Sequence, residues 1–247
     1  MRTFFRNNAV FISLSLILLL VLGLALLYIP QGELHLLLCD RHTPARDIFY
    51  RYYTHVAEWF PYVVCVALLL FSRIGDGVFA TSAMALSALS TQILKHIFNA
   101  LRPVTWFEQF MPEVQLPLVE GVKMNYWLSF PSGHTTSFFA LAFVACILWT
   151  SRTSGTSGTS RTSLTSRTRL TSLTRFSRIW SIIGQVSLFF LAALGGYSRI
   201  YLSQHFARDV FGGIIIGIGI TLLCYVVLSR YEDKKWYNYR VLGGKKQ

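Results

Sequence analysis

The chain has 247 residues, of which 53% are hydrophobic, 15% aromatic and only 14% charged, and its formal net charge is +12. A soluble domain carries about a quarter charged residues, so this composition excludes an ordinary soluble one- or two-domain protein. Such a basic balance would raise the question of nucleic acid, but the basic residues are placed as a membrane places them, and no nucleic-acid partner is expected.

The first apolar run, Ala9 to Ile29, contains no charge and follows Arg2 and Arg6. Crossing a bilayer takes roughly 20 apolar helical residues. The run is longer than a secretory signal core and no small-x-small cleavage site follows, so it predicts a retained anchor helix. An amphipathic surface helix over Asp40–Tyr53 leads to a second span at Trp59–Phe71, and four more follow at Val78–Leu94, Thr135–Trp149, Trp180–Tyr197 and Val210–Leu228. The third span is rich in Ala and Ser, among them Ala80, Ala83, Ser87 and Ala88, which predicts a place inside the bundle. The last carries Gly213 and Gly217 in a GxxxG spacing suited to close helix packing. Backbone groups in lipid must be satisfied within each segment. The predicted fold is therefore all-α: residues 1–247 form one polytopic domain, a six-transmembrane-helix bundle.

Orientation follows from the Lys and Arg residues. With a cytoplasmic N-terminus, the inner segments hold fifteen basic residues against three acids, Asp76, Glu232 and Asp233, and the outer segments hold eight of each. The whole excess lies on one side, so both termini are expected in the cytoplasm. Thr150 to Arg178 is a low-complexity Thr/Ser/Arg tract with no acid, predicted as a cytoplasmic loop within the domain. It either fixes topology alone or also touches anionic lipid heads. The basic and aromatic tail from Lys234 to Arg240 suits the membrane interface. Cys39, Cys65, Cys146 and Cys224 show no metal or pairing spacing and read as unpaired core thiols.

Three polar clusters stand at the outer ends of helices three to six. In the first, Lys95 and Arg102 are seven apart, about 10 Å along a helix and nearly on one face, and Pro103 predicts that the helix ends at Arg102. The second, Pro131-Ser132-Gly133-His134, opens the fourth span. The free amides of Ser132, Gly133 and His134 at a helix start make an anion site, and Gly133 admits close backbone approach. In the third, Ser198-Arg199 precede His205 and Asp209, which are four apart and so predicted on one helix face within hydrogen-bond reach. A carboxylate on one ring nitrogen fixes the tautomer and raises the basicity of the other, as a nucleophile or base requires. Each cluster has a plainer explanation: snorkelling cations, a helix cap, an interfacial ion pair. Together, on one side of the membrane, they place Lys95, Arg102 and Arg199 around two histidines and one carboxylate, which describes a phosphate pocket.

The pattern K-x6-R-P, P-S-G-H and S-R-x5-H-x3-D resembles the three-part signature of the type 2 phosphatidic acid phosphatase superfamily, with all eleven signature residues in order from Lys95 to Asp209. The spacing between the second and third parts is lengthened by the Thr/Ser/Arg tract, on the opposite face of the membrane. The resemblance implies an integral membrane hydrolase that cleaves phosphate esters without a metal or other cofactor, through a phosphohistidine. Carried over, it makes His205 the nucleophile, Asp209 its orienting carboxylate and His134 the acid that protonates the leaving oxygen. It makes Lys95, Arg102, Arg199, Ser132 and Gly133 the phosphate-binding groups. Stabilising redistributed charge is the main task in phosphoryl transfer.

An outer-leaflet pocket implies a phosphorylated lipid substrate reached from the bilayer, in a bacterial cytoplasmic membrane with the active site facing the periplasm. Within the superfamily the compact six-span form looks most like the lipid A 4′-phosphatases. Undecaprenyl-diphosphate and phosphatidylglycerophosphate phosphatases are the alternatives. A haloperoxidase on the same pocket is opposed by the six spans, and a non-catalytic lipid-binding protein by the intact His134, His205 and Asp209. The aromatic outer loop Val104 to Leu128 would frame a lipid entrance or simply anchor at the headgroups. His35, His42, His55 and His96 are expected to have no direct role. Removing lipid A phosphate would lower surface charge and weaken binding of cationic antimicrobial peptides.

Overall fold

The computed structural model describes residues 2–39, 42–155 and 167–242, and among these there is no strand. Short α1 (Arg2–Asn7) leads to the anchor helix α2 (Ala9–Tyr28), then α3 (Gln31–Cys39) and α4 (Pro44–Tyr53). Next come α5 (Val56–Phe71), α6 (Ile74–Phe98), short α7 (Pro103–Phe110) and α8 (Gly133–Gly155). The chain closes with α9 (Arg167–Tyr201), α10 (Ala207–Leu228) and α11 (Lys235–Asn238). Six helical segments are long and apolar enough to cross a membrane: Ala9–Tyr28, Pro44–Phe71, Ile74–Phe110, Gly133–Arg152, Arg178–Tyr201 and Ala207–Tyr231. The protein is a multi-pass, all-α membrane protein, as predicted.

The centre of the bundle is α8 rather than the small-residue helix. The span on α8 has 67% of its apolar window buried against 33% for the one that begins with α6, and α8 packs on α5, α6, α9 and α10. One face of α6 does point inward, with Ala80, Ala83, Ser87 and Thr91 buried, while Ala85 and Ala88 on its other face are exposed. A stripe of small residues thus marks a close contact without making the whole helix central. The GxxxG contact forms on α10: an added Cβ would stand 2.7 Å from the Ser132 carbonyl oxygen at Gly213 and 2.7 Å from that of Thr136 at Gly217. Glycine at these two positions lets α10 lie directly on the backbone of α8.

On the lipid side α2 exposes Leu16, Leu20, Leu24 and Leu27, while Phe11 stacks on Phe143 with ring centroids 5.3 Å apart. Gln185 of α9 accepts from the Phe11 amide (3.2 Å) and donates to the Asn7 carbonyl (2.9 Å), which satisfies groups freed at the α1–α2 junction.

Several boundaries differ from expectation. The surface helix starts at Pro44, where Thr43 caps it by accepting from the Arg46 amide; Asp40 lies outside the described residues. Helix enters the low-complexity tract from both sides, α8 reaching Gly155 and α9 beginning at Arg167, since no proline interrupts it. Residues 156–166 of that predicted loop lie outside the described residues. The tail, predicted to suit the interface, is also tied to α6: Ile74 donates to the Tyr239 carbonyl (2.8 Å), and Tyr237 packs against Gly75. All four cysteines are buried thiols outside any disulfide, as expected.

Candidate active site

All eight predicted site residues meet at one end of the bundle, where α5, α6, α8, α9 and α10 begin or end. Lys95 occupies the last turn of α6, which ends at Phe98, four residues earlier than Pro103 led one to expect. Asn99 takes the left-handed conformation (φ 39°) and its amide closes on the Lys95 carbonyl. Short polar Asn tolerates that conformation, and Pro103 instead opens the new helix α7. Arg102 therefore stands on extended backbone between two helices. Its Nε donates to the Trp127 carbonyl (2.9 Å) and its Nη1 to both the carbonyl (3.2 Å) and Oε1 (3.1 Å) of Gln204. The aromatic outer loop thus serves first as a backbone clamp on this guanidinium.

The second cluster follows a cis Phe130–Pro131 bond. Ser132 caps α8: its carbonyl accepts from Thr136 (3.0 Å) and its hydroxyl from that of Thr135 (2.9 Å). The Ser132 amide is not free as predicted, because it donates to the Asp209 carbonyl (2.9 Å) and so ties α8 to α10. The amides left to open the helix are those of Gly133 and His134, which have no partner within α8. An added Cβ at Gly133 would meet only the Thr91 Cγ2, at 3.7 Å. Protein packing does not demand glycine there, so the space before it is available to a ligand.

In the third cluster α9 ends at Tyr201, and the amides of Gln204 and His205 both fold back onto the Arg199 carbonyl (3.0 and 3.1 Å). Arg199 is buried, and its Nη1 donates to the Thr54 hydroxyl at 2.6 Å. His205 lies before α10 rather than on it, so the expected shared helix face does not exist. Asp209 sits in the first turn of α10, and its Oδ2 accepts from the Phe206 amide (2.9 Å) and the Ser129 hydroxyl (2.5 Å). His205 Nδ1 lies 3.5 Å from the same oxygen, at ion-pair distance. The cap replaces the helix face as the device that aligns the pair.

Burial is the largest influence holding the His205 pKa well below its usual 6.5, and the positive charges of Arg102, Arg199 and Lys95 add to it. A carbonyl at Ser129 opposes the shift. The imidazole is therefore neutral at ordinary pH, the state whose ring nitrogen keeps its lone pair. Three polar atoms in the cluster, Arg199 Nε, His205 Nδ1 and Asp209 Oδ1, are buried with no hydrogen-bond partner among the described residues.

None of the three motifs announces a fourth wall, which comes from the α4–α5 junction. Besides Thr54, it supplies Glu58, whose Oε1 lies 3.2 Å from His134 Nε2 and whose Oε2 lies 2.9 Å from His55 Nδ1. The available signal was a lone carboxylate at the head of an apolar span, a position that is costly without a partner. His35, expected to be idle, is buried beside the His205 turn, with its Nε2 3.3 Å from the Ser203 hydroxyl. No group of three or more His, Cys, Asp or Glu side chains able to hold a metal ion occurs among the described residues.

Three cations gathered around a buried imidazole at the end of a membrane bundle make a pocket suited to a phosphate group. The chain belongs to the PAP2 superfamily, whose family profile matches residues 76–233. It is similar to the lipid A 4′-phosphatase of Porphyromonas gingivalis, 28% identical over 215 residues that cover 83% of this chain and 75% of the relative. It is also similar to dolichyldiphosphatase 1 of Dictyostelium discoideum, 28% identical over 164 residues, 66% of this chain and 57% of that protein. The crystal structure of Aquifex aeolicus LpxE matches with a TM-score of 0.53 at 25% identity, covering 78% of this chain and 93% of that one.

Proposed function

We propose that the protein removes a phosphate monoester from a membrane lipid, the 4′-phosphate of lipid A, at the periplasmic face of a bacterial inner membrane. The observation that carries this reading is the buried His205 gathered with Lys95, Arg102 and Arg199, whose charges reach it. An apolar groove of about 410 Å³ supports a lipid substrate; its walls include Ala57, Phe60 and Pro61 of α5, Phe138 and Leu141 of α8 and Leu191 of α9. Its lining includes Ala57, next to Glu58 in the chain, and Phe138, one turn along α8 from His134, so acyl chains would enter there from the outer leaflet. The positive-inside bias supports cytoplasmic termini and a periplasmic site. In this reading the whole chain is one catalytic membrane domain, with 150–178 its cytoplasmic connection.

His205 attacks phosphorus with the lone pair of Nε2. The P–O ester bond breaks, and the leaving oxygen takes a proton from His134. Asp209 offsets the positive charge on the phosphohistidine, while Lys95, Arg102, Arg199, Ser132 and the Gly133 amide hold the phosphoryl oxygens. Water then attacks phosphorus, His134 takes its proton, the P–N bond breaks, and phosphate leaves with His205 neutral again. The cations supply the charge stabilisation that a metal supplies elsewhere, so turnover survives chelator. Loss of lipid A phosphate would lower surface charge and blunt cationic antimicrobial peptides.

Similarity to dolichyldiphosphatase 1 favours a polyprenyl diphosphate as the second reading. The test is phosphate release by purified protein in detergent with chelator, offering lipid A, undecaprenyl diphosphate and phosphatidylglycerophosphate side by side. Lipid A is the expected preference, and His205→Ala should lose about 10⁴-fold or more in kcat. Preference for the diphosphate would transfer the mechanism to the second reading; no release from any lipid would end the phosphatase reading.

A further inference from the structure

We propose that Glu58 is the positioning residue of the general acid, the counterpart for His134 of what Asp209 is for His205. The inference rests on the phosphatase reading above. Glu58 reaches His134 from a different helix, with 3.2 Å between Oε1 and Nε2. Its second oxygen is engaged by His55 Nδ1 at 2.9 Å, so the carboxylate is held from both ends and its orientation is set. The His134 side chain is 26% exposed and that of Glu58 is 50% exposed, so the pair stands at the mouth of the pocket, where protons exchange with water.

The chemistry needs such a group. An acid that protonates a leaving alkoxide must carry positive charge while standing near Arg199, and like charges disfavour the charged form. A carboxylate in contact with the ring offsets that repulsion, and Glu58 is the carboxylate the structure puts in contact with it. With Nε2–H donated to Glu58, Nδ1–H is the proton passed to the leaving oxygen as the P–O bond breaks. The ring is then neutral, and Nδ1 recovers a proton from the water that attacks the phosphohistidine. Glu58 stays ionised throughout and touches neither substrate nor phosphorus.

Leaving groups separate this role from a structural one. p-Nitrophenyl phosphate expels a stable phenolate that needs no proton, whereas the alkyl phosphate of phosphatidic acid expels an alkoxide that does. Glu58→Gln keeps the shape and removes the charge. It should lower kcat/KM, which reports only the steps up to P–O cleavage, by about 10- to 100-fold on phosphatidic acid in detergent and leave kcat/KM on p-nitrophenyl phosphate within about threefold. Glu58→Asp should recover part of the loss. In a His134→Ala background Glu58→Gln should add nothing further, because the two act as one unit. Equal losses on both substrates, in Glu58→Gln and in Glu58→Asp, would show a structural role and overturn the inference, as would no loss on either. Wild-type protein that releases phosphate from neither compound would overturn the phosphatase reading itself.

Discussion

Two carboxylate–histidine pairs face each other across the pocket, and they are built in opposite ways. Asp209 and His205 are buried, four residues apart, and locked by a helix cap in which Asp209 Oδ2 holds both the Phe206 amide and the Ser129 hydroxyl. Glu58 and His134 are 76 residues apart, meet only because α5 packs on α8, and remain partly exposed. A nucleophile must be neutral and fixed to within a fraction of an ångström of its line of attack, which burial and a cap provide. An acid must gain and lose a proton in every cycle, which a buried, capped ring could not do readily. The two environments match the two tasks proposed for them.

The largest effect expected in a test of this contrast is at Asp209. In Asp209→Asn the amide oxygen can still accept from Ser129 and Phe206, so the cap persists while the charge beside His205 is lost. A drop of about 10³-fold in kcat with an unchanged melting temperature is expected, since neutralising the carboxylate behind a catalytic histidine is costly even with geometry intact. A loss of only severalfold would reduce Asp209 to a cap and break the comparison. Gly213→Ala asks whether the fixed pair depends on helix contact. The new Cβ would stand 2.7 Å from the Ser132 carbonyl oxygen, and Ser132 is bonded through its amide to Asp209. We expect about 1–3 kcal/mol of destabilisation from overpacking, read as a lower melting temperature in detergent, with about tenfold loss of kcat. An unchanged melting temperature would mean that α8 and α10 yield without strain.

The contrast also explains what the sequence disclosed. Long apolar runs and the positions of Lys and Arg predicted six spans because those signals are local and cumulative along a helix. The three motifs were legible for a similar reason: each is a short stretch whose own backbone aims its side chains, so Lys95, Arg102, His134, Arg199, His205 and Asp209 could be named before any contact was seen. Spacing alone misjudged how they are aimed. It put His205 on the helix that actually starts at Ala207, and it left free the Ser132 amide that is bonded to Asp209. Thr54 carried no signal and Glu58 only that of a lone carboxylate heading an apolar span, since they reach Arg199 and His134 only through the packing of separate helices. The central position of α8 was hidden too, because burial inside a membrane bundle changes apolar content far less than burial in water does.

The smallest expected effect concerns the ground behind the fixed pair. The Ser203 hydroxyl donates to the Pro117 carbonyl (3.1 Å) and therefore accepts from His35 Nε2–H, while His35 Nδ1 is buried with no hydrogen-bond partner among the described residues. Phe206 and Phe107 pack against the ring, with centroids 5.1 and 5.7 Å away. Burial is the main cause that lowers the His35 pKa from 6.5 to about 4. Between those values the unfolded chain binds a proton that the folded chain refuses, so stability is full above about pH 6.5 and falls as the pH drops toward 4. The shift corresponds to roughly 3 kcal/mol at its acid limit, and His205 adds in the same direction. His35→Gln keeps a donor for Ser203 and removes the titration. The melting temperature of the wild type in detergent should therefore fall more steeply than that of His35→Gln between pH 7.5 and pH 4.5. Parallel slopes would assign the acid sensitivity to His205 or to groups elsewhere. A steeper wild-type slope would show that the buried neutrality suited to the nucleophile extends to its supporting histidine and is gained at the expense of acid stability.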